Sequence, residues 1–192
     1  VVGGGRDYVQ RMLADLPPPL LNTPVERIER GASADAPVRI FAQGSWHSFD
    51  HVVLACHSDQ ALQLLSDVDE AERQILSTIP YQPNDAVLHT DASFLPERKM
   101  AWAAWNFHAP ADDEARTRPV SLSYLLNMLQ PLPFKTPVIV TLNPDREPAP
   151  GTVLQTFDYE HPVFLEGSDV AQQNLARIQG QRNTWFAGAW TR

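Results

Sequence analysis

With 192 residues, 43% hydrophobic and 20% charged, the chain is long enough for a buried core, and its composition is that of an ordinary globular protein. A net charge of −8 without any Lys/Arg cluster argues against a nucleic-acid surface, and no apolar run reaches the ~20 residues needed to span a bilayer as a helix. One cysteine, Cys56, excludes an internal disulfide and points to a reducing, cytoplasmic compartment.

The chain opens on Val1-Val2-Gly3-Gly4-Gly5, with neither an initiating Met nor a signal peptide, and reads as part of a longer protein. Helical spacing of Tyr8, Val9, Met12, Leu13 and Leu16 follows, and Pro17-Pro18-Pro19 stops it. Val25–Arg30 alternates like a strand. With Val38–Ala42, the tight reversal Gln43-Gly44-Ser45 and the return Trp46–Phe49, it predicts a small antiparallel meander. His51–Cys56 is nearly continuously apolar, the pattern of a strand buried on both faces. Ser58 then caps a helix that turns Ala61, Leu62, Leu64 and Leu65 inward. A second helix begins at Asp69-Glu70-Ala71-Glu72 and lines one face with Ile75, Leu76 and Ile79.

The middle of the chain predicts strands at 86–90, 100–107, 120–126, 138–142 and 153–159, separated by proline-rich loops. A late helix at 169–179 and a last short buried strand at 184–188 complete the reading. The fold class is α+β (mixed α/β): a mixed, largely antiparallel sheet with packed helices.

Several side chains invite a chemical reading. Cys56-His57 sits at a strand end, but neighbours on a strand face opposite ways, so a structural thiol is favoured over a nucleophile. His89 and Asp91 stand two apart, and His108 with Asp112-Asp113 would extend them toward a metal-dependent hydrolase. No ligand spacing of CxxC or HExxH type supports that, and polar pairing within the sheet is favoured. There is no G-x-S-x-G elbow for a serine hydrolase. Trp102, Trp105, Phe107, Tyr124 and Phe134 suit either cross-strand packing or a pocket for an apolar substrate over a planar cofactor. Gly3-Gly4-Gly5 matches neither dinucleotide nor P-loop spacing.

The order of segments goes further. Gly4-Gly5 before a helix, Val25 with Ile28, the meander and then Phe49–Cys56 resemble the flavin-containing amine oxidase and phytoene desaturase superfamily, and Phe186-Ala187-Gly188 is similar to its C-terminal segment along FAD. Seven strings in order are similar to a bacterial branch of predicted NAD/FAD-binding, amine-oxidase-like proteins. They are Leu88-His89-Thr90-Asp91, Ala104-Trp105-Asn106, Tyr124-Leu125-Leu126-Asn127, Leu129-Gln130, Val140-Thr141-Leu142-Asn143-Pro144, His161-Pro162-Val163-Phe164 and Phe186-Ala187-Gly188-Ala189-Trp190.

The resemblance implies an FAD-dependent oxidoreductase that passes a hydride from substrate to flavin. It implies a partial FAD-binding domain at 1–66, a substrate domain at 67–182 and a strand at 183–192 returning to the first. Val25, Ala55, Cys56, Gly188 and Ala189 would approach FAD. Trp105, Asn106 and Tyr124 would face substrate, and no catalytic residue is assigned. Two departures stand out: the family's G-x-G-x-x-G unit, which holds the pyrophosphate, is absent, and Ala189 replaces an acid. The chain alone is therefore expected to bind FAD weakly or not at all and to be inactive by itself. A non-enzymatic interaction module, dimerising through open sheet edges, is the alternative.

Overall fold

A computed structural model describes residues 4–33, 36–108 and 120–191. Gly3, Asp112, Asp113 and Arg192, singled out above, lie outside the described residues. The fold class is α+β, as expected, with helices packed against mainly antiparallel sheets. The chain forms two compact units, one of Val1–Pro18 with Pro83–His161, the other of Pro19–Gln82 with Pro162–Arg192.

In the second unit, β1 (Val25–Arg30), β2 (Val38–Ala42) and β3 (Ser45–Phe49) make the expected meander. Gln43 and Gly44 take positive φ values of 51° and 73°, the left-handed pair that a two-residue hairpin turn requires. A separate parallel pair joins β4 (Val52–Leu54) to β10 (Thr184–Phe186). The expectation that 51–56 is buried on both faces is corrected: only three residues form the strand, and Val53 is 62% exposed. A two-stranded sheet with one covered face has no neighbour for Val53, so Leu54, with the half-buried Val52 on the same face, points into the core.

Helices α2 (Ser58–Leu64) and α3 (Glu70–Leu76) follow β4. The cap of α2 lies one residue earlier than predicted. His57 is the N-cap and its N–H donates to Gln60 Oε1, while Ser58 is buried in the first turn. Asp69 caps α3 in a full capping box with Glu72. Helix α5 (Ser168–Asn174) ends earlier than the predicted 179 and continues as a tighter turn at Leu175–Arg177. Ile75, Leu76, Leu175 and Ile178 close one core with Ile28, Leu54 and Phe186. Residues 67–82 and 162–182 thus pack with the meander rather than with the middle strands.

A charged cluster locks this core. Arg30 is fully buried and pairs with Asp67 at 2.8 Å and with Glu72, and Arg182 reaches Glu72 at 2.8 Å and Asp67 at 3.4 Å. Arg182 holds a φ of +48° to do so. A buried charge must be paired and hydrogen-bonded, and here each guanidinium meets more than one carboxylate.

The first unit holds a five-stranded sheet in the order β6-β7-β8-β5-β9, with β5 at Tyr81–His89, β6 at Trp105–His108, β7 at Ser121–Leu125, β8 at Ile139–Leu142 and β9 at Val153–Pro162. The strands β6, β7, β8 and β5 pair antiparallel in sequence. Residues 100–104, predicted as part of a strand, instead comprise the end of a 3₁₀ turn at Lys99–Ala101 and the irregular stretch that follows it. A one-turn helix, α4 (Leu126–Leu129), leaves β7. Helix α1 (Gly4–Leu13) forms as its spacing predicts but buries no residue.

Candidate functional site

Register and burial give the sheet of the first unit an unusual polarity. One face carries Asn106, His108, Ser121, Ser123, Thr141 and His89, polar and largely buried, together with Leu125 and Ile139. The segment 91–104 folds over it, bringing Phe94 to 4.8 Å from the His89 ring and 5.9 Å from His108. The opposite face carries Trp105, Phe107, Leu122, Tyr124, Val140 and Leu142. Trp105 is 64% exposed and meets Tyr124 edge to face at 5.5 Å. Hydrophobic side chains on a sheet normally turn inward, so an apolar face left open marks a contact surface.

The predicted substrate-side residues therefore divide. Trp105 and Tyr124 are neighbours on the open face. Asn106 is on the covered face, where its amide donates to Ala103 O at 2.7 Å and accepts from the Ala103 N–H at 3.2 Å, pinning the covering segment. Trp102 also belongs to the cover, its indole donating to Pro96 O, and Phe134 lies in a loop.

Among the described residues, His89, Asp91 and His108 form no metal-binding cluster. His89 Nδ1 accepts from the Asp91 N–H and Nε2 contacts Thr141, while the Asp91 carboxylate accepts from the Ser93 and Ala149 N–H groups. Those backbone donors hold the Asp91 carboxyl below the ordinary range.

The second unit contains a groove of about 660 Å³. Val25 and Ile28 of β1 and Ile40 of β2 form one side, and Val52, Val53, Leu54, Ala55 and Cys56 another, closed by Gln60, Gln63 and Leu64 of α2. Three of the predicted cofactor-side residues, Val25, Ala55 and Cys56, share it. Burial pushes the Cys56 thiol up from its ordinary value, which favours the neutral thiol at neutral pH. Gly188 does not line the groove but adjoins its end. A Cβ there would lie 3.0 Å from Trp190 Nε1 and 3.4 Å from Cys56 O, at a φ of +152°, so glycine is demanded twice over. The Trp190 indole donates to Cys56 O at 3.0 Å, and the Ala187 N–H donates to Leu54 O. Ala189 is exposed beyond this junction. The groove's walls are apolar and amide; among the described residues Glu26 is its one charged residue and no cation lines it. It fits a neutral ring system and offers nothing to balance a pyrophosphate.

No family model matches the sequence, and no curated protein matches it. Solved structures do match. A putative protoporphyrinogen oxidase from Exiguobacterium sp. 255-15 superposes with a TM-score of 0.63 at 14% identity, covering 96% of this chain and 46% of that one. The chain has the fold of the amine oxidase and protoporphyrinogen oxidase type flavoproteins. Two further structures bracket this flavoprotein fold: a CLA-producing fatty acid isomerase from P. acnes, with a TM-score of 0.59 at 18% identity over 96% of this chain and 46% of that one, and a putrescine oxidase redesigned in cofactor binding, with 0.61 at 12% over 99% and 48%. The chain thus spans under half the length of each of these flavoprotein-fold structures.

The charged cluster of Arg30, Asp67, Glu72 and Arg182 was not among the predicted residues. Only the Asp69–Glu72 capping box was a local signal, because Arg30 lies 37 and 42 positions from Asp67 and Glu72, and Arg182 lies 115 and 110 positions from them.

Proposed function

We propose that the chain supplies part of the FAD site and the substrate-facing sheet of an amine-oxidase-like oxidoreductase. The observation that carries this is the groove: Val25, Ala55 and Cys56, assigned from the sequence, line one apolar recess whose end abuts Gly188. Bound flavin would supply the hydride acceptor. The residues of this chain would hold its apolar part, and the open face with Trp105 and Tyr124 would present an apolar surface to substrate. The pyrophosphate would need donors from outside the groove, which supports weak binding by the chain alone.

Flavin fluorescence during FAD titration tests this. Weak saturable binding is expected, and Ala55→Glu, at an exposed lining position, should weaken it by about tenfold, or ~1.4 kcal/mol. Absence of saturable binding, or equal binding by the variant, would count against the reading.

A further inference from the structure

The covered face of the sheet holds a continuous line of polar side chains across four strands. His89 Nε2 lies 2.8 Å from Thr141 Oγ1, Thr141 Oγ1 lies 2.7 Å from Ser123 Oγ, and Ser123 Oγ lies 2.8 Å from His108 Nε2. His89, Thr141 and Ser123 are each fully buried. A buried polar hydrogen without an acceptor is costly, so the protons along this line must be placed to satisfy every group.

One contact fixes them all. The Asp91 backbone N–H, which can only donate, reaches His89 Nδ1 at 3.2 Å. Neutral His89 must then carry its proton on Nε2 and donate to Thr141. Thr141 has Ser123 as its remaining partner and donates to it, and Ser123 in turn donates to His108 Nε2. His108 is therefore neutral with its proton on Nδ1. The reverse direction would leave the Thr141 hydroxyl hydrogen with no acceptor.

We infer that His89, Thr141, Ser123 and His108 form a one-way hydrogen-bonded chain, locked by the Asp91 amide, that links protonation of His108 to the segment Asp91 anchors. When His108 takes a proton on Nε2, that nitrogen becomes a donor. Ser123 must then turn its hydrogen toward Thr141, and Thr141 toward His89 Nε2. His89 can accept only by moving its own proton from Nε2 to Nδ1, where it faces the Asp91 N–H. Two covalent changes result, the new Nε2–H on His108 formed with a proton from solvent and the tautomeric shift of His89, and the Asp91 hydrogen bond is lost. Asp91 matters because its carboxylate holds both Ser93 and Ala149 at 2.9 Å.

The surrounding charges are few. Asp145 and Arg146 act on His108 in opposite senses, Arg146 also stacking over Phe94 at 4.4 Å, and Asp91 acts on His89. Desolvation outweighs them and pushes both histidines below their ordinary value of 6.5.

Side-chain nitrogen NMR on the 192-residue chain tests the inference. At neutral pH the expected tautomers are Nε2–H for His89 and Nδ1–H for His108, and on acidification the Asp91 amide signal should shift with the same midpoint as His108. His89→Gln offers Thr141 either an amide oxygen or an amide nitrogen and so removes the fixed direction. His108, which His89 does not hydrogen-bond, should then titrate nearer 6.5 in mixed tautomers. Ser123→Ala should raise the His108 midpoint if Ser123 donates to Nε2, as inferred, and lower it if Ser123 accepts from Nε2–H, so a fall would also count against the inference. A His108 found as Nε2–H in the wild-type protein, an Asp91 amide that ignores the His108 titration, or an unaltered His108 in His89→Gln would overturn the inference. The wild-type measurements decide the matter even where a variant fails to fold.

Discussion

Gly188 is the position where a single atom should matter most. An added Cβ meets the Trp190 indole and the backbone has a positive φ, so Gly188→Ala should destabilise the second unit by roughly 1–3 kcal/mol, measured as a fall in the urea midpoint. At His89 and His108 the folded state binds protons less readily than the unfolded chain. The stability they contribute is fully present above about pH 6.5 and is lost as pH falls from there toward their depressed values. Urea titrations at pH 7.5 and pH 5.5 should therefore show a lower midpoint in acid, and His108→Asn should flatten that difference. Residue identities alone reveal little of this. His89 and His108 read as ligand candidates in sequence because imidazole is a metal ligand, whereas their role depends on Ser123 and Thr141, whose approach is set by strand register.

At the scale of elements, alternation and turn residues made most strands legible: β1, β2, β3, β7 and β8 all fall within two residues of the predicted bounds. Which face of a strand is covered was not legible. Leu122 and Tyr124 alternate with Ser121 and Ser123, and the ordinary rule would bury the first pair. The structure buries the serines because the 91–104 segment covers that face through Phe94, Leu95 and Trp102. The charged clamp on α3 was hidden for a related reason, since its members are far apart in sequence. Its removal should be felt across the element. Glu72→Ala leaves Arg30 buried with one exposed-side partner, and a loss of about 3–5 kcal/mol is expected in chemical denaturation. A control at the exposed pair Arg11–Asp7 on α1 should change stability by under ~0.5 kcal/mol.

Across the whole molecule, apolar side chains lie exposed on α1, on Leu20 and Leu21, and on the outer sheet face of Trp105 and Phe107. Exposed apolar surface of this kind, within either unit, is a contact surface for further protein or for ligand. The homodimer proposed from open sheet edges is tested by light scattering across concentration: a rise in mass that Phe107→Lys suppresses supports it, and a strict monomer excludes it. Among the described residues no helix is long and apolar enough to cross a membrane. The chain matches flavoprotein-fold structures over less than half their length, so the activity of a complete enzyme rests on the proposal and not on the likeness.

FAD is proposed to enter the groove beside Cys56. As the chain's one thiol, Cys56 reports on that groove without labelling elsewhere. Alkylation of Cys56 should be slowed saturably by millimolar FAD and left unchanged in rate by inorganic pyrophosphate, for which the groove lining offers no cation. An alkylation rate indifferent to FAD, or equally slowed by pyrophosphate, would contradict that binding mode.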